Sequence, residues 1–160
     1  MIHARHTSAE GAAPRRGLGL SLPMVILLAA IAAIRVPLHD LGIVQEGSAA
    51  AWLLVFVPLA VWVGVVLQRQ VPNPLLTLTV VGFAYAVMLA VVHQVFWGAA
   101  FGGNLPSLGG NLEGVLAPGV EAAVFRVSAF FSSLVTGTMV GAIAGAVACA
   151  IERLRWIRRT

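Results

Sequence analysis

The chain contains no lysine, a single cysteine and a single tyrosine, and only 10% of its residues are charged. A soluble domain carries about 25% charged residues. Here 59% of 160 residues are hydrophobic, an excess that no water-soluble core of this size can absorb, so much of it must face lipid. The single cysteine, Cys149, excludes an internal disulfide and any cysteine-pair redox centre. The missing lysine excludes a phosphate-binding G-x-x-x-x-G-K-[ST] loop, although residues 98–118 hold six glycines. No G-x-S-x-G motif with a base and an orienting acid supports a hydrolase. His3 and His6 stand in a polar segment without partner ligands, and a zinc site needs three or four. These absences predict a non-enzymatic protein with no cofactor and no metal.

What the chain does contain is four long apolar runs, at about 17–36, 48–67, 75–97 and 119–151. Each is long enough to cross a hydrocarbon core as a helix. The predicted fold is an all-α integral membrane protein, a bundle of four transmembrane helices over residues 17–152. A disordered cytoplasmic tail, 1–16, precedes it and a basic cytoplasmic tail, 153–160, follows it. A basic flank before an apolar run also suits a signal peptide, but the first run is long and three more follow, so a retained helix is expected. Pro58, in the middle of the second run, is expected to kink that helix. Pro72 and Pro74 punctuate the turn before the third.

The net charge of +4 comes entirely from arginine. Arg5, Arg15 and Arg16 precede the first run, Arg69 lies between the second and third, and Arg153, Arg155, Arg158 and Arg159 follow the last. The other two connections carry Asp40, Glu46 and Glu113. Positive residues mark cytoplasmic ends, so this distribution predicts both termini inside and the Gly-rich loop between helices 3 and 4 outside. The membrane expected is a bacterial plasma membrane. The arginines serve topology and the lipid bilayer, and no nucleic-acid partner is expected. Trp52 and Trp97 fall at the outer interface and Trp156 at the inner one.

Small residues recur every fourth position along the last run: Ala129, Ser133, Gly137, Gly141, Gly145 and Cys149. Such a stripe lets helix backbones approach closely in lipid. Gly82, Ala86 and Ala90 in the third run form the matching line. A four-residue step turns a helix by about 400°, so the stripe drifts by about 40° each step. It therefore predicts two adjoining surfaces, one for helix 3 and one for another helix, a second copy or another membrane protein.

Arg126 is the most costly residue to place, because a charge in the membrane interior must face protein or water. His93, Gln94, Glu121 and Arg35 fall near the same level of the outer leaflet by span order alone. This cluster reads either as an interhelical polar lock or as an outward-facing pocket. The leading functional expectation is an accessory or assembly subunit of a membrane complex. The alternative is a small transporter or channel with a pocket around His93 and Arg126.

Overall fold

The computed structural model describes residues 17–101 and 106–159. The predicted tail 1–16, with His3 and His6, lies outside the described residues, as do Leu105 of the Gly-rich loop and Thr160. Among the described residues the fold is entirely helical. Helix α1 spans Leu22–Ala33, α2 Arg35–Asp40, α3 Ala49–Arg69, α4 Pro74–Val95, α5 Trp97–Ala100 and α6 Pro118–Ile157. Four segments are long and apolar enough to cross a membrane: α1 with α2 as one 19-residue stretch, then α3, α4 and α6.

The first segment departs from the predicted 17–36 at both ends. Pro23 seats the start of α1 inside its first turn. Pro37 has no N–H to donate to the carbonyl of Ala33, four residues back, and the helix breaks there at Ile34. Ile34 keeps helical dihedrals, φ −55° and ψ −34°, so the chain resumes at once as α2. His39 and Asp40, read from sequence as part of a loop, are therefore helical. Helix α3 runs unbroken across Pro58 and ends at Gln70, whose N–H donates to the Val66 carbonyl and whose left-handed φ of 47° turns the chain so that the Val71 N–H reaches the same carbonyl at 3.3 Å. Asn73 then caps α4, its side chain accepting from Leu76 N–H at 3.0 Å. Helix α6 has no internal glycine pair or proline to stop it. It runs on through the expected end at 151 to Ile157, about 60 Å at 1.5 Å per residue.

Helices α4 and α6 form the most extensive interface. They run antiparallel: Leu75 meets Gly145, Gly82 meets Gly137 and Gly141, and Ala86 meets Gly137. A Cβ added to Gly82 would stand 2.5 Å from Gly141 Cα and 2.6 Å from the Gly137 carbonyl oxygen. A Cβ on Gly141 would collide with the Leu78 carbonyl oxygen. The side chains are absent because the two backbones occupy their space.

Ser133, Gly137, Gly141 and Gly145 of the stripe are buried against α4, while Ala129 and Cys149 are half-buried. At the far end Ala144 and Ala148 take over. They pack with Trp62 and Val66 of α3 and with Leu28 of α1. The stripe from Ser133 to Gly145 thus stays on α4, and the second surface expected from its drift is formed instead by the adjoining positions Ala144 and Ala148. Trp62 is wholly buried and its indole N–H donates to the Leu28 carbonyl at 2.8 Å. That bond satisfies the one polar atom of the largest side chain in the core. Thr77 Oγ1 donates to the Leu18 carbonyl at 2.6 Å and ties the segment before α1 to α4.

Replacing Gly141 with leucine is expected to separate α4 from α6 and lower stability by about 3 kcal/mol, the upper end for overpacking. Gly64→Ala meets open space and should stay within about 0.5 kcal/mol of the parent. Unfolding in mixed micelles by a denaturing detergent measures both.

Candidate functional site

The end of the bundle where α2 and α4 finish and α6 begins holds a cavity of about 490 Å³. It is lined by Arg35, His39 and Asp40 from α2, by Glu46 from the following loop, whose exposed side chain marks the mouth, and by Trp97 and Phe101 around α5. Deeper, Tyr85, Leu89 and His93 of α4 face Ala129, Ser132, Ser133 and Thr136 of α6. From Trp97 to Tyr85 is twelve residues, about 18 Å along a helix axis. Tyr85 stands midway along α4, so the polar lining reaches the middle of that helix. Below it, Trp62 meets the Tyr85 ring edge-on at 6.0 Å between centroids. Trp62, Leu28, Leu78 and Val81 are the closed apolar core beneath.

A run of ionisable and hydroxyl groups leads inward from the mouth. Glu46, with a side chain 78% exposed, places Oε1 2.8 Å from His39 Nε2. The other ring nitrogen, His39 Nδ1, lies 3.3 Å from Asp40 Oδ1. His93 Nε2 approaches that same oxygen at 3.8 Å, and His93 Nδ1 lies 3.3 Å from Ser133 Oγ. Ser133 in turn donates to the Ala129 carbonyl at 2.8 Å. Two imidazoles therefore flank one carboxylate oxygen. The Asp40 side chain is only 4% exposed and its second oxygen, Oδ2, has no protein partner. Both His39 nitrogens are occupied, and no group of three or more His, Cys, Asp or Glu among the described residues is arranged to hold a metal ion.

The polar residues gathered by span order separate in three dimensions. Arg35 and His93 line the cavity. Gln94 and Arg126 do not; they bond to each other. Gln94 Nε2 donates to the Arg126 carbonyl at 3.0 Å, and Arg126 donates to Gln94 Oε1 at 3.2 Å and to the Gln94 carbonyl at 3.4 Å. The guanidinium also lies over the Trp97 ring, 5.1 Å from its centroid. Arg126 thus braces a wall of the cavity from behind. Glu121 turns elsewhere and accepts from the Leu108 N–H, holding the long connection against the start of α6.

Trp97 is buried, and its ring meets both the Arg126 guanidinium and the Phe101 ring. Of the small-residue positions, Gly82, Ala86 and Ala90 are buried on α4, facing the seam that brings His93 to Ser133.

Asp40, His39, Glu46 and Tyr85 were not among the site residues picked from sequence. A signal for His39 was present: four residues after Arg35, it falls on the same face of any helix that continues past Pro37. Nothing local points to Tyr85, which joins the cavity only through the packing of α4 on α6.

A double-mutant cycle with Arg126→Ala and Gln94→Ala should show a coupling near 0.6–1.7 kcal/mol, the range of polar pairs between membrane helices. Equal and additive losses would mean the pair does not act as a unit. Comparison with protein-family models, with curated proteins and with solved structures finds no match for this chain.

Proposed function

We propose that this chain is a small, non-enzymatic, multi-pass protein of the bacterial plasma membrane that admits a small polar solute from the outer face. In this reading both termini lie in the cytoplasm and the cavity opens outward, because arginines cluster at the opposite end of the bundle. The observation that carries it is Asp40: a buried carboxylate with a free oxygen, on the wall of a cavity large enough for a small molecule. Leaving that oxygen without a donor is costly, and a polar solute in the cavity would supply one. Arg126 has the opposite character. Its contacts are with α4, and its role is to hold the wall.

Cysteine scanning tests both direction and water content. In a Cys149→Ser background, Thr136→Cys in the cavity and Ser107→Cys on the long connection should react with a membrane-impermeant maleimide added to intact cells. Val140→Cys, half-buried beside an apolar groove, should not. Labelling of Thr136→Cys only after permeabilisation would reverse the orientation, and none at all would remove the open cavity.

A second reading, an accessory subunit of a membrane complex, draws on a different feature. Helices α3 and α6 leave between them an apolar groove of about 660 Å³, lined in part by Ala60, Gly64 and Ala144. Small residues of this kind accommodate a neighbouring transmembrane helix. Gly64→Leu would fill the groove and should abolish co-purification of a partner in mild detergent while the chain itself stays folded. A groove occupied only by lipid gives no partner to lose.

A further inference from the structure

Buried charges in proteins are paired, because an isolated ion away from water is costly, and the cost is felt inside a membrane protein as well. At the cavity Asp40 is paired with two histidines, yet three buried polar atoms of the lining lack a hydrogen-bond partner. Asp40 Oδ1 is taken by His39 and His93, yet Oδ2 is buried and unpartnered. Arg35, on the same helix, forms no hydrogen bond and no ion pair within 4.0 Å among the described residues. Its Nε is buried without an acceptor. A third orphan, the Trp97 indole N–H, also belongs to a lining residue.

These two charges do not neutralise each other directly, and helix geometry says why. Five residues separate them, which is about 7.5 Å of rise and roughly 140° around the axis. The other ionisable groups at the cavity do not fill the gaps. Glu46 is engaged by His39 near solvent, and His93 spans from Asp40 to Ser133. Helix α6 brings only hydroxyls, at Ser132, Ser133 and Thr136. What is missing is one cationic donor for Asp40 and one anionic acceptor for Arg35 and Trp97, held a short distance apart.

We infer that the cavity is a binding site for a small zwitterion of the amino-acid class, with its ammonium group at Asp40 and its carboxylate at Arg35 and the Trp97 indole. The inference rests on the reading of the cavity as a solute site and names the chemistry of the solute. An ammonium supplies N–H donors to Oδ2, and a carboxylate accepts in two directions from a guanidinium. The two histidines orient the Asp40 carboxylate so that Oδ1 faces them and Oδ2 is left for the ligand. Leu89 and Phe101 supply apolar surface for the carbon chain between the two charges.

The test uses the purified full-length chain in detergent and a series of probes: glycine, β-alanine, γ-aminobutyrate and δ-aminovalerate, with methylammonium and acetate as the separated halves. Binding is read by isothermal titration and by ligand-induced thermal stabilisation. One chain length should bind at least about tenfold tighter than either half alone, because linking the groups makes the second contact intramolecular. Asp40→Asn and Arg35→Gln should each weaken that ligand about tenfold or more, and Glu113→Gln, on the distant connection, should not. Should Asp40→Asn fail to fold, Asp40→Glu keeps the charge on a longer arm and should move the preferred chain length to a shorter member.

A flat response across the series, or methylammonium binding as tightly as every zwitterion, overturns the inference. Binding that survives both Asp40→Asn and Arg35→Gln overturns it too. If Thr136→Cys still labels from outside in those cases, the open cavity stands and only the solute class is wrong. If it does not label, the solute-site reading falls with it.

Discussion

The approach of α4 to α6 through Gly82, Gly137 and Gly141 governs the rest of the molecule. Backbone atoms of one helix occupy the space where the other would carry side chains, so the pair has little freedom to slide or rotate. In lipid there is no hydrophobic gain from hiding apolar side chains among apolar neighbours, and close packing supplies the attraction instead. Once this seam is set, the positions further along α4 have no choice of partner. His93 falls beside Ser133, Gln94 beside Arg126, and Trp97 beneath the Arg126 guanidinium.

The same seam leaves a gap above it. Toward the end of α4 the small residues give way to His93, Gln94 and Trp97, and α2 enters from the side with Arg35, His39 and Asp40. Two packed helices and one short, proline-interrupted helix do not fill that end as tightly as α4 and α6 fill the middle. The cavity is what remains, walled by polar groups above and closed by Trp62 and its bond to the Leu28 carbonyl below. Pro37 matters here out of proportion to its size. By breaking the first segment at Ile34, it produces the short helix that ends the segment with Asp40 buried and Glu46 in reach of His39.

Much of the architecture was legible in the residues because its causes are local. Hydropathy marks four membrane-length segments without reference to any contact. The four-residue period from Ser133 to Gly145, matched by Gly82, Ala86 and Ala90, identified α4 and α6 as partners. The candidate site was legible only in part. Span order placed Arg35, His93, Gln94, Glu121 and Arg126 near one level, but level is a single coordinate. Which of them face each other depends on rotation about each helix axis, and hydropathy carries little information on that for helices apolar all round. Arg126 and Gln94 consequently form a bracing pair, Glu121 holds the long connection, and Arg35 and His93 face the cavity with Asp40.

By itself, then, the sequence determined that the chain is helical, that it has four segments fit for a bilayer, and that its third and fourth long segments meet through small residues. Tertiary structure alone decided that Asp40 would be buried with one oxygen free, that Arg35 would face the same space without a carboxylate to meet it, and that Tyr85 would mark its depth. The physical reason is the difference in range. Transfer of apolar side chains and the pitch of a helix act over a few neighbouring residues, and both are written in composition and spacing. The environment of a charge is set by every helix that packs around it, and that information exists only after the bundle has closed.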